Sequence, residues 1–374
     1  MMRALTQPRS TWKRLLACAL GAFACVACGD DPKALPDPEP EERPPADGLE
    51  VEVSADRRTF VALDVPEVIT VDDPEASLEW DLAFRGFEIA TNGGVSGPGA
   101  GSAFGPLPEY YFFFPDEPID APFLIEDKAG GAFLGWYVYD GEDHTIYTRY
   151  HVYGVRSGEQ LFKVQILSYY GEVMGAPVSA LYQVRYAEVS ADGVGATREI
   201  TNIDATVDGD VSDLTLPSAV LSLASGEVRR ISPEEAQQDT TWDLGFRRDS
   251  ITVNGELSGP GGVTAVDLDT GGGETLEDVK ALTASDGATR FDAVDHAALS
   301  GENLDYRGDG VTSAFSGKWA DLEVDPPQPF SSTGFLVVAA DGESRYLVGF
   351  DAFDGANRET PGTVTLYVHR SPAP

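Results

Sequence analysis

Large apolar residues fall on every second position in several short stretches of this chain, as a strand with one buried face requires. Trp80, Leu82 and Phe84 show the pattern, and Trp242, Leu244 and Phe246 repeat it. Phe162, Val164 and Ile166 alternate in the same way with the polar Lys163 and Gln165. Turn signals punctuate these runs. Asn92-Gly93 and Asn254-Gly255 favour a type I′ hairpin, and Gly97-Pro98-Gly99 marks a loop. Helical signals are few and short: Ser232-Pro233-Glu234-Glu235 and Thr275-Leu276-Glu277-Asp278 both read as capped helix starts. With no regular strand–helix rhythm, a parallel nucleotide-binding sheet is not expected. The pattern predicts a mostly β protein with a few short helices.

The pattern is also duplicated. Residues 80–99 read WDLAFRGFEIATNGGVSGPG and residues 242–261 read WDLGFRRDSITVNGELSGPG, with 12 of 20 positions identical and no gap. A second pair of blocks begins at Trp136 and Trp319, where the offset between copies has grown from 162 to about 184 residues. The economical expectation is two tandem homologous β-rich domains, 48–200 and 217–374, joined by a linker at 201–216. Trp80, Asp81, Trp242 and Asp243 then read as fold determinants. Asn92, Gly93, Asn254 and Gly255 read likewise, because Asn and Gly accept the positive φ of tight turns.

The first 47 residues have a different character. Arg3, Arg9, Lys13 and Arg14 precede an uncharged stretch from Leu15 to Ala27 that is too short to span a bilayer. It ends in Val26-Ala27-Cys28-Gly29, small residues before a cysteine, as a lipoprotein signal peptidase requires; Cys25 is the alternative acceptor. The expectation is a signal peptide at 1–27 and a lipidated Cys28. Residues 28–47 would be an extended tether, rich in proline and acids and too polar to fold. Cys18, Cys25 and Cys28 are the only cysteines, so the folded part has no disulfide, thiolate metal site or Cys nucleophile. Removing the signal leaves 22 of the 26 basic residues against 62 acids. That excess argues against nucleic acid and against adhesion to anionic lipid, leaving the anchor as the link to a membrane.

The string W-D-L-x-F-R followed by N-G and S-G-P-G, with a later Trp-centred block ending in Ser168-Tyr169-Tyr170, resembles the HmuY family of bacterial lipoproteins. The first copy carries both halves of the motif. The second carries a blurred second half, with Asp351-Ala352-Phe353 in place of Leu167-Ser168-Tyr169. The resemblance implies a mostly β domain lipid-anchored at the outer membrane, facing the periplasm or the cell surface. It further implies capture of haem or a related porphyrin for delivery to an outer-membrane receptor, with iron held by side chains such as histidine or methionine. Arg85 and Arg247, which follow the W-D-L-x-F string, are poor haem ligands.

Of four histidines, only His144 and His151 lie together, among Tyr147, Tyr150 and Tyr153. They are the haem-ligand candidates, because a porphyrin site needs an axial ligand and aromatic walls. In one continuous strand they would point to opposite faces roughly 23 Å apart, so joint ligation requires a bend, for instance with His144 in a loop after Gly141. His296 and His369 do not repeat this pair, and Met174 sits in a polar stretch. Calcium is the weaker cofactor expectation: Asp267, Asp269, Asp204, Asp208, Asp210 and Asp213 are closely spaced, but no calcium-loop pattern is complete. The chain lacks a Gly-x-Ser-x-Gly elbow, a His-Glu-x-x-His helix and a phosphate loop, so a binding protein is expected rather than an enzyme. The alternative is a cell-surface structural or interaction module without cofactor. The aromatic run Tyr110–Phe114 fits either a stacking platform or a buried strand.

Overall fold

The computed structural model describes residues 48–210, 213, 215–269 and 274–372. The expected signal peptide, Cys28 and tether lie outside them. The described residues belong to one compact unit, mostly antiparallel β with short helices. No helix among the described residues is long and apolar enough to cross a membrane.

Two lobes share one plan. In the first, a five-stranded sheet runs in the spatial order Leu49–Glu52, Thr363–Arg370, Arg345–Asp354, Thr333–Val338 and Ser102–Pro108. In the second, Arg198–Asp204, Ala176–Ser190, Gln160–Val173, Val152–Ser157 and Thr264–Asp267 follow the same order, with short Gly193–Val194 added to the end of Ala176–Ser190. Each lobe also has a four-stranded sheet. Glu67–Ile69, Thr59–Ala62, Leu82–Arg85 and Glu88–Thr91 form one, and Val228–Ile231, Ser218–Leu221, Leu244–Arg247 and Ser250–Val253 the other.

The lobes do not coincide with the expected domains 48–200 and 217–374. One core joins Val61, Leu82 and Phe84 of the first copy to Phe315, Trp319 and Phe335 of the second. The other joins Trp136, Val164 and Tyr182 of the first copy to Leu221, Leu244 and Phe246 of the second. The copies have exchanged halves. The second lobe is thus a continuous inserted lobe, while the first is a terminal lobe assembled from both ends of the chain. The supposed linker contributes to this outcome: Arg198–Asp204, which runs into it, is a strand of the inserted lobe. Only seven residues separate it from Ala176–Ser190, so the two pair locally, and a local pairing costs less loop-closure entropy than a distant one.

The crossing is marked by a two-stranded ribbon, Lys128–Gly130 against Gly310–Thr312, in which Ala129 faces Val311. Hydrogen bonds on either side repeat with the sequence duplication. Trp136 Nε1 donates to the Asp249 carbonyl at 2.9 Å, and Trp319 Nε1 donates to the Phe87 carbonyl at 3.0 Å. Each tryptophan therefore closes on the hairpin turn of the other copy.

Several local expectations need correction. Asn92-Gly93 is not the hairpin turn; Leu82–Arg85 turns into Glu88–Thr91 through Gly86 at φ 54°, and Arg248 at φ 52° does the same in the second copy. Asn92 is instead a buried bracket, donating to the Ser77 and Trp80 carbonyls and accepting from Gly99 N–H; Asn254 does the same for Asp239, Trp242 and Gly261. Gly93 is needed for close approach, since a Cβ there would lie 2.0 Å from the Gly101 carbonyl oxygen. Leu82–Arg85 is buried on both faces up to Ala83 and Phe84, because Asp81 and Ala83 are covered too. Asp81 is satisfied there by Leu63 N–H at 2.8 Å and Ala340 N–H at 2.9 Å. Lys163 and Gln165 are also buried rather than solvated. Helix Ala284–Ala293 covers them, with Lys163 Nζ donating to the Phe291 and Val294 carbonyls and Gln165 Nε2 to that of Gly287. Tyr110–Phe113 is a short helix, not a buried strand, and Phe112 alone among its residues is buried. The helix starts at Ser232 and Thr275 are both present, each with a reciprocal capping box.

Candidate functional site

The segment 144–155 is not one strand. Tyr137–Asp140 and Thr145–Thr148 pair as a hairpin, the chain breaks at Tyr150 with φ 53°, and Val152–Ser157 begins a separate strand. The turn forms where Gly141 follows alternating Tyr137, Val138 and Tyr139. His144 sits at its end in a left-handed conformation, φ 58°.

The two candidate histidines have different surroundings. His151 is buried, with Nδ1 2.8 Å from Asp267 Oδ2 and Nε2 3.1 Å from Glu274 Oε2. Glu274 is also held by Arg290 at 2.8 Å and Arg149 at 3.3 Å. Burial opposes the charged imidazole, but the Asp267 and then the Glu274 contacts outweigh it and raise the His151 pKa. Both ring nitrogens are engaged by carboxylates, so His151 is a structural tie between the two copies in this arrangement. The calcium candidates are likewise engaged: Asp267 with His151, Asp269 with Val152 N–H at 2.7 Å, and Asp204 with Thr206. No group of acids or histidines arranged to hold a metal ion occurs among the described residues.

His144 is exposed and lies on a cleft of about 470 Å³. Its Nδ1 is 2.7 Å from Tyr139 Oη, while Nε2 has no hydrogen bond among the described residues. Ile146 lines the cleft from the same hairpin, and Tyr169, Tyr170 and Pro177 line it from the long hairpin behind. Tyr169 stacks within an aromatic cluster, 6.1 Å from Trp136 and 5.5 Å from Tyr182. Tyr170 Oη accepts from Ile146 N–H at 2.9 Å, fixing the front hairpin to the back one. The cleft is therefore tied at its base by a hydrogen bond, aromatic on its walls and supplied with one imidazole at its mouth.

Met174 lies at the tip of the long hairpin, fully exposed. His296 opens the short helix His296–Leu299, and His369 is 3.2 Å from Asp116; neither belongs to the cleft. The recurring residues Trp80, Asp81, Asn92, Gly93, Trp242, Asp243, Asn254 and Gly255 are all structural in position, buried or pressed against backbone. Sequence reading did not single out Tyr139. The signal was the Asp140-Gly141 turn between two alternating runs, which folds Tyr139 back onto His144.

No protein-family model matches the chain, and no curated protein matches it.

Proposed function

We propose that the inserted lobe binds a flat aromatic ligand of the porphyrin class, haem foremost, in the cleft at Tyr139, His144, Tyr169 and Tyr170. The observation that carries this reading is the one-sided placement of chemistry. The related position of the terminal lobe is a cleft lined by Leu322, Glu323, Val324, Asp325, Pro327 and Arg358, without a histidine or an aromatic ring. A ring system stacks on tyrosine faces, and an imidazole or phenol oxygen can meet its metal. With the lipid anchor expected at Cys28, the protein would hold such a ligand at the outer membrane for transfer to a receptor.

The test is a haemin titration of the purified full chain in detergent, following the Soret band. Wild type should saturate at one haemin per chain, and Tyr169→Ala combined with Tyr170→Ala should abolish binding. His151→Ala should bind like wild type wherever it is folded. A titration indistinguishable from free haemin would remove the porphyrin reading and leave the cell-surface interaction module.

A further inference from the structure

We infer that the terminal lobe carries a docking face for a cationic segment of another protein, with an arginine stacking on Tyr110 and Phe114 beside Glu109 and Glu117. This face is independent of the porphyrin reading, since none of these residues lines the cleft at His144.

The aromatic run folds into the helix Tyr110–Phe113, which one ring anchors while others face outward. Phe112 is fully buried, 5.2 Å from Tyr367 and edge-on to it, in the small core with Leu336 and Leu347. A spacing of four residues puts Tyr110 and Phe114 on one side of the turn. Their ring centroids are 4.7 Å apart, with planes 32° from parallel. Tyr110 is 45% exposed and Phe114 49%. Tyr111 packs edge-on against Tyr110 at 5.4 Å. A ring pair left half in water contributes little to any core, and grouped apolar surface of this kind marks an interaction site.

Charge identifies the partner. No Lys, Arg or His occurs between Gly86 and Asp127, whereas Glu109, Asp116, Glu117 and Asp120 flank the helix in sequence. Glu109 is exposed directly before the helix, and Tyr110 Oη donates to Glu117 Oε2 at 2.7 Å, which holds that carboxylate at the ring edge. Neither Glu109 nor Glu117 has an ion-pair partner among the described residues. Asp116 differs, because His369 meets it at 3.2 Å and it borders a separate depression with Arg345 and Arg370. A guanidinium is flat, stacks on aromatic faces and presents its N–H groups to carboxylates in pairs. A lysine ammonium is a hydrated point charge and gains less from the rings. A second copy of this chain would set the same carboxylates against themselves in a two-fold contact. Strand addition at the neighbouring sheet edge is blocked as well. Ser102–Pro108 is the outermost strand there, but it carries Pro106 and Pro108, and Ile125 already bridges Ala103.

The experiment uses the full chain in non-ionic detergent and follows fluorescence anisotropy of labelled peptides. The probes are an Arg-Gly repeat, a Lys-Gly repeat of equal charge and a citrulline-Gly repeat without charge. Wild type should bind the Arg-Gly peptide most tightly, with an affinity that falls as salt rises. Tyr110→Ala combined with Phe114→Ala leaves the charge unchanged and should weaken Arg-Gly binding about tenfold, to the level of the Lys-Gly peptide. Glu109→Gln combined with Glu117→Gln should weaken both cationic peptides. Glu234→Gln combined with Glu277→Gln removes the same charge from the inserted lobe and should change neither. Near-ultraviolet circular dichroism checks that each variant is folded. Equal binding of the Arg-Gly and Lys-Gly peptides by wild type would overturn the proposal, as would wild-type affinity in the ring variant or tight binding of the citrulline peptide. A dimer in sedimentation that the ring variant loses would assign the face to a second copy and overturn it too. The ring variant should titrate with haemin as wild type does; loss of haemin binding there would move the porphyrin to this face and overturn both readings.

Discussion

The two lobes have the same strand order and the same tryptophan-to-carbonyl closure, yet they differ in what they present to solvent. The inserted lobe shows Tyr139, His144, Tyr169 and Tyr170 on its cleft; the terminal lobe shows aliphatic, acidic and proline residues and one arginine, Arg358, instead. They also differ on the outer face of the large sheet. Phe112 and Ile119 cover it in the terminal lobe, whereas Phe291, Val294 and Leu299, from a longer helical insertion, cover it in the inserted lobe. Duplication kept what the fold needs and let the rest diverge. Recurrence here therefore marks scaffold, and the cleft linings are where the copies disagree.

The strongest way to break this comparison is to empty equivalent places in the two cores. Trp136→Ala and Trp319→Ala each remove a fully buried indole and its hydrogen bond, at a cost of about 3–5 kcal/mol in urea denaturation. Trp319→Ala should still bind haemin where folded. Trp136→Ala should not, because Trp136 backs Tyr169. Equal binding by both variants would show that the cleft does not depend on its own core.

Gly93→Ala and Gly255→Ala should each cost about 1–3 kcal/mol, the range of overpacking, since a Cβ meets a carbonyl oxygen at 2.0 Å in both. A difference between them of more than about 1 kcal/mol, above the usual scatter of neighbouring sites, would show that the lobes tolerate strain unequally.

The smallest effect concerns pH. Burial pushes Asp127 and Asp309 up to about 6 from the ordinary 3.8. They sit at equivalent places next to the crossing ribbon and accept from Thr91 and Val253 N–H, both at 2.8 Å. A raised folded-state pKa means that the folded chain takes up protons the unfolded chain releases. The stabilisation is complete below about pH 4 and is lost as pH rises through 6, a swing of roughly 1–3 kcal/mol per site. Asp127→Asn and Asp309→Asn should each flatten the urea midpoint between pH 4 and 7 by a similar amount. An unchanged profile in either would show that the carboxylate is not titrating there.

Much of this was legible in the residues. The alternating runs became strands, and Ser232 and Thr275 cap helices through the hydrogen bonds their spacing implies. His144 lies in the turn after Gly141, the alternative to a continuous strand. Other residues misled for a physical reason: alternation reports only that two faces differ. Lys163 and Gln165 look solvated by pattern, but helix Ala284–Ala293 supplies carbonyl acceptors for both, so they are buried. Asn92 carries a turn signal, but its amide is spent on three backbone groups.

The amino-acid sequence by itself determined the β class, the duplication, the places of the core tryptophans and the helix starts, because these depend on neighbours a few residues apart. Only the tertiary structure decided which half of one copy packs on which half of the other, and so which groups meet at the cleft. Both copies carry the same inward-facing pattern, so either pairing satisfies every local preference. The choice rests on chain connectivity: Arg198–Asp204 follows Ala176–Ser190 closely enough to pair with it at once, and the chain ends are left to complete the other lobe.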